Sequence, residues 1–408
     1  MEGYRAATAK DVAEVVTAAL AGAQPLEILG GGSKRGIGRP LQVETVLDVS
    51  GLSGIIDYEP AELVLTARAG TPLAEIEAAL HARGQMLAFE PPDWRGLLGT
   101  DASAPTLGGT IACNLAGPRR IKSGAARDHF LGFEAVNGRG EIFRAGGKVV
   151  KNVTGYDLCK LFAGAYGTLG VLTELSVKVL PRPETVRTVL LRVAEGVAWQ
   201  PVLAECLNSP HEVSGAAYLP GAVAGRSRVA AVAGSGGGIA AVRVEGHTPS
   251  ATYRADAITP IVAAHGETEQ LGAEDSAVLW REIGDAALLA EPAAHAVWRI
   301  SLTPSAGPAF AEAVGNQAAC DALFDWGGGL VWLAIGAESG DAGAAVVREA
   351  LGAQGGGHAT LMRAADAVRA SVAVFEPLAG PLAALTARVK ESFDPLRVLN
   401  PGRMYAGV

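Results

Sequence analysis

The chain has 408 residues, 49% apolar and 19% charged, so it can bury a large core in two or three domains and is not a disordered polymer. Its net charge of −8 argues against a general nucleic-acid binder. The longest uncharged run, 102–118, is too short and too rich in glycine and proline to span a bilayer. The N-terminus lacks the apolar stretch of a signal peptide, so a cytoplasmic chain is expected. Cys113, Cys159, Cys206 and Cys320 lie far apart and form no Cys-x-x-Cys, so no disulfide framework, zinc site or iron–sulfur site is legible.

In chain order, Thr8 and Asp11 make a capping box for a helix with Val12, Val15, Val16, Ala19 and Leu20 on one face. A strand over Leu26 to Leu29 runs into a glycine loop, and further strands are expected over Val43 to Val49 and Leu63 to Ala69. Thr71-Pro72 reads as an N-cap and first residue of a helix carrying Leu73, Ile76 and Leu80. Residues 91–126 read as loop. Asn137-Gly138-Arg139-Gly140 joins two strands as a hairpin. A short helix is expected within Thr154 to Phe162, then a strand from Val171 to Leu180. Pro181-Arg182-Pro183 marks a domain boundary, beyond which strands and Ala-rich helices interleave as in a two-layer α+β domain.

Three glycine clusters carry the chemistry. Gly30, Gly31, Gly32, Ser33 and Lys34 follow a strand directly, and three residues without Cβ let amide N–H groups turn toward one anion. Lys34 and Arg35 add positive charge, which suits a diphosphate. The dinucleotide fingerprint fails because Arg35 stands where its last glycine belongs, and the P-loop fails because Ile37 stands where its lysine belongs. Taken alone, this loop also fits a solvated turn. The second cluster is Pro105, Thr106, Leu107, Gly108, Gly109 and Thr110, leading to Asn114. The third is Gly164, Gly167, Thr168, Gly170 and Val171, directly before a strand. One elongated ligand such as a dinucleotide would touch all three.

Taken in order, these clusters, with 151–158 and the closing Phe393-Asp394-Pro395 to Asn400-Pro401-Gly402, resemble the FAD-binding domain of the vanillyl-alcohol oxidase (PCMH-type) flavoprotein superfamily. Within it, Trp298 to Ser301, Asp325 to Gly328 and Gly356 to Thr360 resemble the FAD-binding accessory subunits of bacterial glycolate oxidases. The resemblance implies an α+β protein: a PCMH-type FAD domain over 1–183, with subdomains of about 1–55 and 56–183, a smaller α+β cap over 184–390, and a segment over 391–408 that returns to the FAD domain with Asn400. It implies that the 30–34 loop holds the diphosphate. Residues 29–40 contain neither His nor Cys, so the FAD is expected to be noncovalent.

The resemblance further implies a hetero-oligomer that oxidises glycolate or another 2-hydroxy acid, with a homologous FAD-containing catalytic subunit and an iron–sulfur subunit as partners, and membrane contact only through them. The histidines show no paired metal-ligand spacing, whereas the catalytic subunits are expected to carry a histidine-based site; this favours an accessory role. Two alternatives stand beside it: a self-sufficient 2-hydroxy-acid dehydrogenase, and a scaffold that has lost its flavin. For chemistry within this chain, Arg299 and Arg363 are candidates for a carboxylate clamp and His358 for a base. The ordinary readings are a solvent-facing Arg299 and a His358 that satisfies a loop. Tyr156 is expected to pack, and Arg119 and Arg120 to be solvated.

Overall fold

The computed structural model describes residues 2–148, 155–194, 196–336 and 340–408, so Lys151, Asn152 and Thr154 of the matched motif lie outside the described residues. Among the described residues three larger sheets and a two-stranded one, Gln85–Met86 with Leu180–Pro181, organise the chain. Glu2–Arg5, Thr45–Asp48 and Leu26–Leu29 form a parallel sheet with Thr45–Asp48 in the centre. The helix Ala9–Gly22 covers it with Val12, Val16 and Ala19. Its first turn closes as expected: Thr8 Oγ1 accepts from Asp11 N at 3.2 Å, and Asp11 Oδ2 accepts from Thr8 N at 3.0 Å.

A five-stranded antiparallel sheet follows, in the order Ile55–Glu59, Val64–Arg68, Val171–Lys178, Phe130–Val136, Ile142–Gly146. The helix Leu73–His81 packs on it through Leu73, Ile76 and Leu80. Pro72, not Thr71, occupies the N-cap. The Thr71 hydroxyl donates to Arg68 O at 2.7 Å and accepts from Gly54 N at 2.9 Å, so it pins a turn instead of capping. The 91–126 stretch is not purely loop: it holds short helices at Arg95–Leu98, Leu107–Ala112 and Arg120–Ser123. Each is too short for apolar periodicity to show in the sequence.

The rest of the core is an eight-stranded antiparallel sheet running from Thr268–Leu271 at one edge to His358–Arg363 at the other. Alternation along its strands separates two faces. Val189, Leu191, Trp298 and Leu333 point to the side covered by the helices Trp199–Asn208 and Thr248–Ala263. Leu190, Val297, Leu323 and Trp332 point to the other, where Ile37, Trp94, Leu97 and Leu115 of the N-terminal half meet them. Trp94 meets Trp332 edge-on with ring centroids 5.3 Å apart. That shared core sets the cap against the N-terminal half.

The chain returns to the N-terminal half before residue 391. The helix Gly380–Phe393 already packs Val389 and Phe393 onto the five-stranded sheet's core, with the Phe393 ring 5.2 Å from that of Phe162. Lys390 is fully buried there and donates to Thr168 O at 2.6 Å, Asp394 Oδ2 at 2.7 Å and Leu399 O at 2.8 Å. Asp394 in turn accepts from Val398 N and Leu399 N. The tail then runs beside the first sheet, with Leu26 N donating to Val398 O and Asn400 N to Leu26 O.

Candidate cofactor site

A cleft open to solvent, with about 870 Å³ of empty space counting that open part, lies where the three glycine clusters meet. Gly30, Gly31, Gly32, Ser33 and Lys34 line it from the first cluster; Thr106, Gly108 and Gly109 from the second; Gly167, Gly170, Val171 and Asn400 from the third and the tail. Pro105, Thr110, Asn114, Gly164 and Thr168 stand behind this lining. Pro105 O accepts from Leu73 N, Asn114 Oδ1 accepts from Arg127 N, and Thr168 gives its carbonyl to Lys390. The Gly164 amide donates to Ile111 O, and the Thr110 hydroxyl is buried with no partner among the described residues.

The first loop is held tightly against its neighbours while it lines the cleft. A Cβ at Gly31 would lie 2.1 Å from Ala104 O, so only glycine lets this loop pack against the backbone of Ser103 and Ala104. Gly31→Asp is therefore blocked by the neighbouring chain itself, whatever fills the cleft. Among the described residues, the amides of Gly31, Gly32, Ser33 and Lys34 meet no backbone acceptor, whereas Arg35 N closes back on Gly32 O and Ile37 N on Lys34 O. The carbonyls beyond are tied off from behind: Arg369 Nη1 donates to Gly36 O at 2.6 Å and Gly38 O at 2.7 Å, and Arg403 Nη2 to Arg35 O at 3.1 Å.

Among the described residues Lys34, Arg35, Arg369 and Arg403 all adjoin this loop, with Glu27 and Asp366 as the carboxylates that pair with them. Arg35 forks onto Glu27 at 2.9 and 2.6 Å, and Arg403 Nη1 lies 3.6 Å from the same carboxylate. Lys34 is half-buried, and its ammonium donates to Ser33 Oγ at 3.0 Å. Burial pushes the Lys34 pKa down. A second anion in the cleft would offset that cost. Consecutive free amides plus surplus positive charge are what a diphosphate demands, so the residues present fit FAD.

Asn400 lines the cleft but spends its amide on the backbone, accepting from Ile28 N and donating to Tyr166 O, both at 2.8 Å. It ties the first loop to the third. A Cβ at Gly167 would strike its Nδ2. Sequence reasoning missed Tyr166, Arg403 and Cys113 as cleft residues, although each adjoins a quoted motif. Burial holds the Cys113 thiol above its ordinary pKa, partly offset by Lys34 and Arg403.

The chemistry candidates separate. Arg363 is a structural rivet: its guanidinium donates to the carbonyls of His295, Leu97, Ala290, Leu289 and Pro292, which leaves no fork for a substrate. His358 is exposed on the edge strand, paired with Ser301, away from the cleft. Arg299 is half-buried, and its guanidinium lies over the rings of Trp326 and Trp332. Tyr156 is 93% exposed and does not pack. Arg119 is not solvated but enters a buried ionic cluster with Glu90, Glu245 and Arg243.

The fold is that of the PCMH-type FAD-binding proteins, and the cleft is one that FAD fits. The FAD binding domain family model matches residues 4–146. Solved structures with the same fold include p-cresol methylhydroxylase with substrate bound (TM-score 0.70, 16% identity, covering 98% of this chain and 88% of that one). Another is 4-ethylphenol oxidase from Gulosibacter chungangensis (TM-score 0.71, 15% identity, covering 99% and 89%). Glycolate oxidase subunit GlcE of Escherichia coli (strain K12) is 40% identical over 394 residues, 96% of each chain. The chain belongs to the family of that subunit. Glycolate oxidase subunit GlcD of Bacillus subtilis (strain 168) is 37% identical over 151 residues, 37% of this chain and 30% of that one.

Proposed function

We propose that this chain is the FAD-holding accessory subunit of a hetero-oligomeric glycolate oxidase, with the catalytic flavin in a homologous partner and an iron–sulfur subunit completing the complex. The carrying observation is the cleft in which three glycine clusters, Lys34, Arg35 and Arg403 converge. The relative matching 96% of the chain is named as a subunit, and similarity to the GlcD-type subunit spans only 37% of it, which supports two related but distinct flavin chains. In this reading the chain is cytoplasmic and reaches a membrane only through partners; among the described residues no helix is long and apolar enough to cross one. We assign residues 1–183 as the FAD domain, and the eight-stranded sheet with its helices as the cap.

When bound, FAD supplies a two-electron acceptor. The amides of 31–34 and Lys34 hold its diphosphate, and Arg369 and Arg403 keep the loop in shape. The attachment is noncovalent. The Cys113 thiol is kept protonated by burial and is a weak nucleophile.

The test is a visible spectrum of the chain purified alone, before and after acid precipitation and after adding glycolate. A flavin band that acid releases and that glycolate leaves unbleached supports this reading. Bleaching by glycolate without partners turns it into the self-sufficient dehydrogenase. A chain that takes up no FAD on reconstitution is the flavin-free scaffold.

A further inference from the structure

We propose that Arg120 and Arg299 form a binding site for a small carboxylate anion, built across the junction of the two halves of the molecule and adjoining the cofactor cleft through Tyr166. Arg120 sits on the short helix Arg120–Ser123 of the N-terminal half, and Arg299 on the cap strand Ala296–Ser301. Their guanidinium carbons lie 4.2 and 5.1 Å from the centre of the same indole, that of Trp326. The indole is fixed in turn, since Trp326 Nε1 donates to Gly117 O at 3.2 Å and Trp326 N to Asp325 Oδ1 at 2.7 Å.

What sets this pair apart is the missing counter-charge. Arg119 and Arg243, at the same junction, are matched by Glu90 and Glu245. Arg120 and Arg299 are both half-buried, yet no carboxylate contacts either among the described residues, and Arg299 Nε is buried with no hydrogen-bond acceptor. Burial holds Arg299 down to about 10, Tyr166 and Asp325 work the other way, and Arg120 lowers it further. Arg120 is lowered as well, by burial first and by Arg127 next, with Asp128 opposing. Asp325, the acid beside Arg299, already accepts from Trp326 N, and burial raises it to about 7, so it is a poor counter-ion at neutral pH.

Two like charges drawn out of water onto one ring cost free energy that an anion between them returns. The planar forks of two arginines suit a carboxylate, and the indole wall with the half-buried setting limits the ligand to a small acid. Tyr166 lines the cofactor cleft and is within electrostatic reach of Arg299, so an acid held here adjoins the cofactor. That placement rests on the FAD reading of the cleft, whereas the anion site itself does not.

The test titrates the FAD-loaded chain with sodium glycolate and sodium oxalate by calorimetry at fixed ionic strength, with glycolamide as the uncharged control. Flavin absorbance reads cofactor content separately. Both acids should bind and glycolamide should not. Arg299→Met and Arg120→Met should each weaken binding at least about tenfold with FAD content unchanged, and Arg299→Lys should retain part of it. Arg120 is on a short helix outside the core, so its variant reads the site if Arg299→Met fails to fold. Absence of acid binding, equal binding of glycolamide, or an Arg120→Met chain that binds both acids as the parent does would overturn the proposal. Loss of FAD with acid binding intact would strike the cofactor reading alone.

Discussion

Arg243 of the cap sheet places both terminal nitrogens on the carboxylate of Glu90, at 2.8 and 2.9 Å, with its own side chain only 2% exposed. The two residues come from opposite halves of the molecule, and the Arg119 backbone N–H donates to the same carboxylate at 2.6 Å. The pair is a cross-link between the cap and the cofactor half. Removing Glu90 leaves the buried guanidinium with Glu245, 3.6 Å from its Nε, as its remaining carboxylate. Glu90→Ala should cost about 3–5 kcal/mol in denaturant unfolding, whereas Glu90→Met combined with Arg243→Met should recover most of that loss. Additive losses in the double variant would contradict the pairing.

Lys34 carries a half-buried charge with a hydroxyl, not a carboxylate, as its hydrogen-bond partner. Lys34→Met should leave the melting temperature of the FAD-free chain unchanged or slightly raised. It should weaken FAD binding at least about tenfold in a fluorescence titration, since a charge-assisted contact is worth roughly 1.5–3 kcal/mol. Unchanged FAD affinity would show that the diphosphate does not pass this lysine.

Arg369 ties the Gly36 and Gly38 carbonyls from behind the loop, and its own side chain is 8% exposed. Arg369→Met should weaken ADP and FAD by a similar factor, about tenfold, while adenosine binding stays the same, because only the diphosphate reads the loop amides. Arg369→Lys lacks the fork and should restore only part of the loss. Equal weakening of adenosine would mean general unfolding of the cleft instead.

Asp325 supplies a pH signature. Its carboxyl is raised to about 7 by burial, with Trp326 N and the neighbouring arginines pulling the other way. The folded chain therefore holds this proton where the unfolded chain has released it, so its contribution to stability is present below about 4 and is lost as pH rises through 7. Asp325→Asn should flatten the pH dependence of stability between about 4 and 7. It should gain on the order of 2 kcal/mol over the parent at pH 8, measured by urea unfolding across pH. A parallel pair of pH curves would refute this.

The sequence by itself determined the parts that depend on neighbours along the chain. The Thr8–Asp11 capping box, the strand before Gly30 and the three glycine clusters are local patterns, and their order with the closing Asn400 motif was enough to point to FAD. Tertiary structure decided everything that depends on charge meeting charge. Lys390 reaches a carbonyl 222 residues away, Arg369 one 333 residues away and Arg243 a carboxylate 153 residues away. No periodicity records such pairings, because burial and partner are set by packing of whole sheets. For the same reason Arg363, a plausible clamp on paper, proved to be occupied by five carbonyls, and Arg120, read as a solvated surface charge, lies with Arg299 over one tryptophan.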